Sequence, residues 1–306
     1  MTLPETPGAR IVDAHLHLWE LGTGDYGWNT PDLGPVHTDF DAEQAGATLA
    51  SGGVDEAVLV QAADTAGDSE RMFAAADEHP WVAGVVAWVP LRDPHAAESL
   101  LDRWSATGRL AGIRQLLHDD PDPTRLDAPA VRATLALLAE RGLPLDVPDA
   151  WPDLWPALLR VLDDLPDLVV VLDHLGKPAL DLDAAGRPAD PAAFDAWRQG
   201  LAEVARHPQA VAKLSGLDAA LAAGVEPSAE RLRPLVEAAL ETFGPERLML
   251  GGDWPVSLGH APYAVVVEAV RGSLAGLGDA ERAAVLGGTA ARVYRLPPRP
   301  EVPMRP

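Results

Sequence analysis

Eight short apolar runs recur along this chain, each closed by a turn signal, with longer stretches of helical period between them. They are Ile11–Leu18, Glu56–Gln61, Val82–Pro90, Leu110–Leu117, Leu143–Pro148, Leu168–Leu175, Ala210–Ser215 and Arg247–Gly252. Runs of this kind read as strands, and the segments between them as helices. Four helix candidates carry recognisable boundaries. Asp68 is placed to cap Ser69–His79, which Pro80 ends. Asp127 is placed to cap a helix through Pro129 and Val131 to Arg141, with Gly142 at its exit. Pro152–Asp164 and Pro191–His207 follow the same grammar, with proline in the first turn or just past the end. Eight strand–helix units in 306 residues predict one (β/α)8 barrel of TIM type. It should be a single domain over residues 1–306, with the barrel core spanning about 11–295. A doubly wound open sheet would carry a glycine-rich phosphate turn after an early strand, and the sequence has none. The stretch Glu20–Asp39, with Tyr26, Trp28 and His37, is too long for a minimal connection and predicts a loop capping the barrel mouth.

Charge and composition narrow the function. A net charge of −22 argues against nucleic acid and anionic membrane surfaces as partners. The absence of cysteine removes disulfides, thiolate metal sites and thiol catalysis. MTLPETPGAR does not read as a signal peptide, and no apolar stretch approaches ~18 uninterrupted residues. The expectation is a soluble cytoplasmic protein acting on a small molecule, with its oligomeric state left open.

Active groups of such barrels sit at the C-terminal strand ends. The first run, IVDAHLHLW, ends in His15 and His17. Residues i and i+2 of a strand share a face, so both imidazoles are aimed at one point, as half a metal site or as a floor for a polar ligand. The other ends offer Gln61, then Trp88, then Arg114 and Gln115 with His118 beyond. They continue with Asp146 and Asp149, Asp173 and His174, Lys213 and Ser215, and Asp253 and Trp254. Polar groups thus gather at one end of the barrel. Asp253, in GGDWP, is placed to act as general base for a water or as a metal ligand, or else simply to cap the next turn. His174 is a further imidazole at the same rim. The planar fork of Arg114 suits a carboxylate or a lactone carbonyl, or an internal salt bridge. Lys213 either orients Asp253 or is structural. Trp19, Trp28, Trp88 and Trp254 are candidates to wall a sugar-sized pocket or to pack in the core.

DAHLHLW, GIRQLL, VLDHLGKP, KLSGL and RLMLGGDWPV, in this order, resemble the amidohydrolase superfamily, and within it the branch of sugar-acid and dicarboxylate lactonases. The resemblance runs from the first strand to the eighth. It implies a distorted barrel that hydrolyses a lactone, with Asp253 deprotonating water and His174 and Arg114 holding the substrate. Gln61, Trp28, Trp88, His118, Lys213 and Trp254 are then the candidate substrate contacts. Binuclear members add a bridging Lys or Glu after strand four and a His after strand five. Here Arg114 stands at the first place and LPLDVPDAW at the second. The expectation is therefore at most one divalent, zinc-like ion on His15, His17 and Asp253, or none. The strand-five exit also departs from the family, lacking the basic residues of sugar lactonases. A metal-dependent amide hydrolase or non-oxidative decarboxylase is the second reading, and a non-catalytic ligand-binding barrel the third.

Overall fold

All eight apolar runs form strands, and these pair in parallel in chain order into one eight-stranded sheet. The computed structural model describes residues 10–117 and 121–298. The strands are β1 Val12–Leu16, β2 Glu56–Val60, β3 Val82–Ala87, β4 Leu110–Arg114, β5 Leu145–Val147, β6 Val170–Leu172, β7 Ala210–Leu214 and β8 Leu248–Leu250. Between and after them lie α1 Ala42–Ser51, α2 Ala66–Glu78, α3 Pro94–Ser105, α4 Pro129–Arg141, α5 Trp155–Asp164, α6 Pro191–Ala205, α7 Ala229–Phe243 and α8 Tyr263–Ser273. The strands are almost wholly buried, because helices cover them outside while side chains fill the interior. Register shifts in the β1–β2, β2–β3 and β3–β4 pairs account for the distortion.

The barrel closes just beyond the end of β8. Leu16 and Trp254 form a parallel bridge. Asp253 N donates to His15 O at 2.9 Å, and His17 N donates to Trp254 O at 2.8 Å. The seam therefore lies where the GGDWP turn meets the two β1 histidines.

Helix starts follow local chemistry, though not always through the residue the sequence suggested. Asp93, Asp190 and Ser228 cap α3, α6 and α7 with side-chain oxygens, and Gly142 ends α4 in the left-handed conformation. The cap of α2 is Thr65, not Asp68, and α2 begins at Ala66. Ala128 occupies the N-cap of α4 without a side-chain bond, while Asp127 instead takes Arg132 at 3.1 Å and Arg160 at 2.5 Å. The third candidate helix starts later, at Trp155, and the fourth ends at Ala205.

Asp68 has a tertiary role. Its side chain accepts from Tyr26 Oη at 2.8 Å and from Ala62 N at 3.2 Å. It thereby fastens the Glu20–Asp39 loop to the end of β2. That loop carries short 3-10 turns at Leu21–Thr23 and Pro31–Val36, and Trp28 Nε1 also donates to Ala62 O at 2.7 Å. Burial pushes the Asp68 carboxyl up to about 7, against hydrogen bonds from Tyr26 and Ala62 that favour the charge. The folded state then keeps a proton that the unfolded chain releases near pH ~4. Asp68 should therefore make stability fall as pH rises from about 4 to about 7. Urea midpoints across that window should show a shallower fall in Asp68→Asn. Parallel wild-type and variant curves would remove Asp68 as a source of the slope.

Candidate active site

A register shift sits inside the HxH run, between Asp13 and Leu16. Asp13 reaches Tyr263 of α8, whose Oη donates to it at 2.7 Å, and it accepts Gly252 N at 3.0 Å and His15 N at 2.8 Å. This carboxylate clamps the β8 exit to β1. A Cβ on Gly252 would lie 2.3 Å from the Tyr263 ring and 2.8 Å from Asp13 Oδ2, so only glycine lets that turn close.

Three imidazoles surround one carboxylate oxygen. Asp253 Oδ1 lies 3.4 Å from His17 Nε2, 3.6 Å from His15 Nε2 and 4.0 Å from His174 Nε2. Gly216, at φ 57°, passes so close that a Cβ there would stand 2.8 Å from His174 Nδ1 and 3.0 Å from Asp253 Oδ2. Burial works to raise the Asp253 carboxyl. His174, His17 and His15 more than offset it and hold the group well below the usual carboxylate range. Burial lowers His15 and His174, so both stay neutral near pH ~7, although Asp173 beside His15 and Asp253 beside His174 oppose the shift.

His15, His17 and Asp253 fit a divalent ion. Their Nε2 and Oδ1 atoms form a triangle with edges of 3.1, 3.4 and 3.6 Å. A tetrahedral zinc with bonds near ~2.1 Å holds its ligand atoms ~3.4 Å apart. His17 Nδ1 donates to Val60 O at 2.7 Å, which leaves its Nε2 lone pair facing inward. His15 is held differently. Lys213 Nζ lies 3.1 Å from its Nδ1, and Asp173 Oδ1 lies 3.3 Å from the same atom. With Lys213 donating, the His15 proton sits on Nε2 and bonds His17. For His15 to act as a ligand, that proton must be on Nδ1, facing Asp173. A second cluster, His15, Asp173 and His174, has ligand-type atoms within 4.8 Å of one another.

A cavity of about 140 Å³ opens above this cluster. His17, Trp19, Trp28, Ala62, Arg114, Leu116, Asp149, His174, Lys177, Asp253 and Val256 line it. Asp149, His174, Lys177 and Asp253 all have positive φ, between 44° and 55°. Left-handed backbone at non-glycine residues is costly, and four such residues fall on this one cavity wall. A more open groove of about 560 Å³ beside α2, around Glu20, Asp39, Arg71 and Glu78, gathers none of the strand-end groups.

The structure therefore brings Asp253, His174, Arg114, His17 and Trp28 to one cavity, with His15 directly beneath. It places other candidate contacts elsewhere. Gln61 is fully buried, donates to Asp64 at 3.2 Å, and uses its main-chain oxygen to hold Arg114 Nη1 at 2.9 Å. Trp88 lies off the wall, its main chain bonded to Ser69 and Trp104. Trp254 packs edge-on against Phe40, with ring centres 5.0 Å apart. Lys213 is fully buried below the cluster, 2.5 Å from Asp146 and 3.0 Å from Asp173. His118 lies outside the described residues.

Sequence reasoning left two groups without a role. Asp173 receives Arg114 Nε at 2.9 Å and ties that guanidinium to β6. Lys177, within the DHLGKP motif, joins Asp149 on the wall at 3.1 Å.

A family model described as amidohydrolase matches residues 12–296. An L-fucono-1,5-lactonase from Burkholderia multivorans is 34% identical over 302 residues, 95% of this chain and 97% of that protein. Another, from Burkholderia ambifaria, is 33% identical over 291 residues, 93% of this chain and 95% of that protein. Among solved structures, an amidohydrolase from Burkholderia multivorans, seen with bound Hepes and in another crystal form with bound Zn, superposes with a TM-score of 0.84 at 32% identity, covering 94% of this chain and 100% of that one.

Proposed function

Since this chain belongs to the amidohydrolase family, we propose that it hydrolyses a sugar-acid lactone in the cavity above Asp253. The observation that carries this reading is the Asp253 carboxyl, ringed by three imidazoles at the floor of a cavity walled by Arg114 and two tryptophans. Asp253 takes a proton from water as the water oxygen bonds to the lactone carbonyl carbon. Arg114, held by Asp173 and Gln61, and His174, held by Ser215 at 2.9 Å, face the carbonyl oxygen as it gains charge. The ring C–O bond then breaks, and the proton on Asp253 passes to the ring oxygen. The product is a hydroxy acid that ionises and releases one proton.

A carboxylate held so firmly in its charged form is a weak base. His15, His17 and Asp253 would hold one divalent, zinc-like ion per chain, which would supply a Lewis acid to water there. A relative solved with bound Zn and the edges of the ligand triangle support that assignment. The cavity scale suits a small molecule. Among the described residues no helix is long and apolar enough to cross a membrane. We read the whole chain as one domain, a cytoplasmic enzyme of carbohydrate metabolism.

Aldonolactones, beginning with L-fucono-1,5-lactone, mixed with the protein in weak buffer and a pH indicator, should release one proton per ring opened. Repeating the assay after dialysis against a chelator should show a lower rate, restored by one equivalent of zinc. Proton release no faster than the spontaneous rate for every aldonolactone would overturn the reading.

A further inference from the structure

We propose that the Asp149–Lys177 pair reads substrate hydroxyls and restricts the cavity to lactones with uncharged substituents, an inference that rests on the lactone hydrolysis above. Lys177 Nζ donates to Asp149 Oδ2 at 3.1 Å, and both residues line the cavity. Asp149 Oδ1 is buried without a protein partner among the described residues. The Asp149 side chain is 22% exposed but not through Oδ1, so a substrate hydroxyl meets the pair at Oδ2 while its own oxygen, or that of the neighbouring hydroxyl, accepts one of the remaining Lys177 hydrogens. Trp28, half-buried on the same cavity wall and backed edge-on by Trp19, offers apolar ring surface to the C–H face of a sugar ring.

Charge on the wall sets the class of substituent. The two described cations on the wall already have carboxylate partners, Lys177 in Asp149 and Arg114 in Asp173. A carboxylate on a substrate seated against this pair finds no unmatched cation among the described residues and meets the charge of Asp149 instead.

The test compares kcat/KM for three lactones: a hydroxylated aldono-1,5-lactone, δ-valerolactone with the same ring and no hydroxyls, and a glucarolactone bearing a carboxylate. The wild-type protein should prefer the first over the second by at least about 100-fold, because a site built for hydroxyls penalises their loss. Asp149→Asn should shrink that preference about 10- to 100-fold, the range for one hydrogen bond to a charged group. It should also raise the rate on the glucarolactone several-fold, since Lys177 then lacks its carboxylate partner. Misfolding lowers all three rates together and cannot produce that gain. Lys177→Gln provides a second arm, shrinking the hydroxyl preference without the gain. Unchanged ratios among the three lactones in both variants would overturn the assignment while leaving lactone hydrolysis standing. A wild-type protein that opens none of them would overturn both.

Discussion

Asp253→Asn should keep the barrel folded and lower kcat on a sugar lactone by about 10²- to 10⁴-fold, the usual range for general-base assistance. The side chain keeps its shape but can no longer accept water's proton. The hydrogen bonds that seat the turn are main-chain ones, Asp253 N to His15 O and Ser257 N to Asp253 O, both 2.9 Å, so they survive the change. A residual rate is expected, because Arg114 and His174 still position a lactone that is activated relative to an amide. In the wild-type protein the imidazoles hold the Asp253 carboxyl below its usual range. Turnover at constant melting temperature is the measurement. A variant with wild-type kcat would move the base elsewhere, with His174 the next group to replace.

The barrel was legible because strands buried on both faces leave an unbroken apolar signature. The strand ends were less so. β5, β6 and β8 are three residues each, because their runs continue into backbone that turns toward the mouth. His15 and His17 could be found from the two-residue period of a strand. The register shift beside them could not, since Asp13 departs from that pattern only through contacts with Tyr263 and Gly252, some 240 to 250 positions away. Asp68 had the look of a helix cap because aspartate commonly is one. Its partner Tyr26 comes from the capping loop, which local sequence does not reveal. Tryptophans were ambiguous for the same reason. Trp28 and Trp254 have similar chemistry, yet one lines the cavity and the other packs on Phe40. Lys177 sat inside a quoted motif and went unread, because its meaning lies in Asp149, 28 residues earlier on another strand end.

Lys213 carries the largest expected effect on stability. It is fully buried, and its Nζ meets Asp146 at 2.5 Å, Asp173 at 3.0 Å and His15 Nδ1 at 3.1 Å. One ammonium thus lies between two carboxylates that share the barrel interior. The two acids are not equally protected without it. Asp173 retains Arg114 at 2.9 Å, whereas among the described residues Asp146 retains only the hydroxyl of Tyr294 at 2.8 Å. Burial pushes the Asp146 carboxyl up to about 6 even with Lys213 opposing the shift. Asp173 is held well below its usual range: burial acts to raise it, and Lys213, His15 and Arg114 prevail. Lys213→Met fills similar space with an apolar chain and strands Asp146. Removing one partner of a buried pair costs about 3–5 kcal/mol, which for a barrel of this size lowers the melting temperature by roughly 5–8 °C. If the cost is the stranded carboxylate rather than lost packing, Lys213→Met combined with Asp146→Asn should recover most of it, because a neutral amide still accepts from Tyr294. Calorimetry of the two variants separates the explanations. A double variant no more stable than Lys213→Met alone would make Lys213 a packing residue. A double variant restored in stability but slow in turnover would show that Lys213 also orients His15 through its Nδ1, below the carboxylate that activates water.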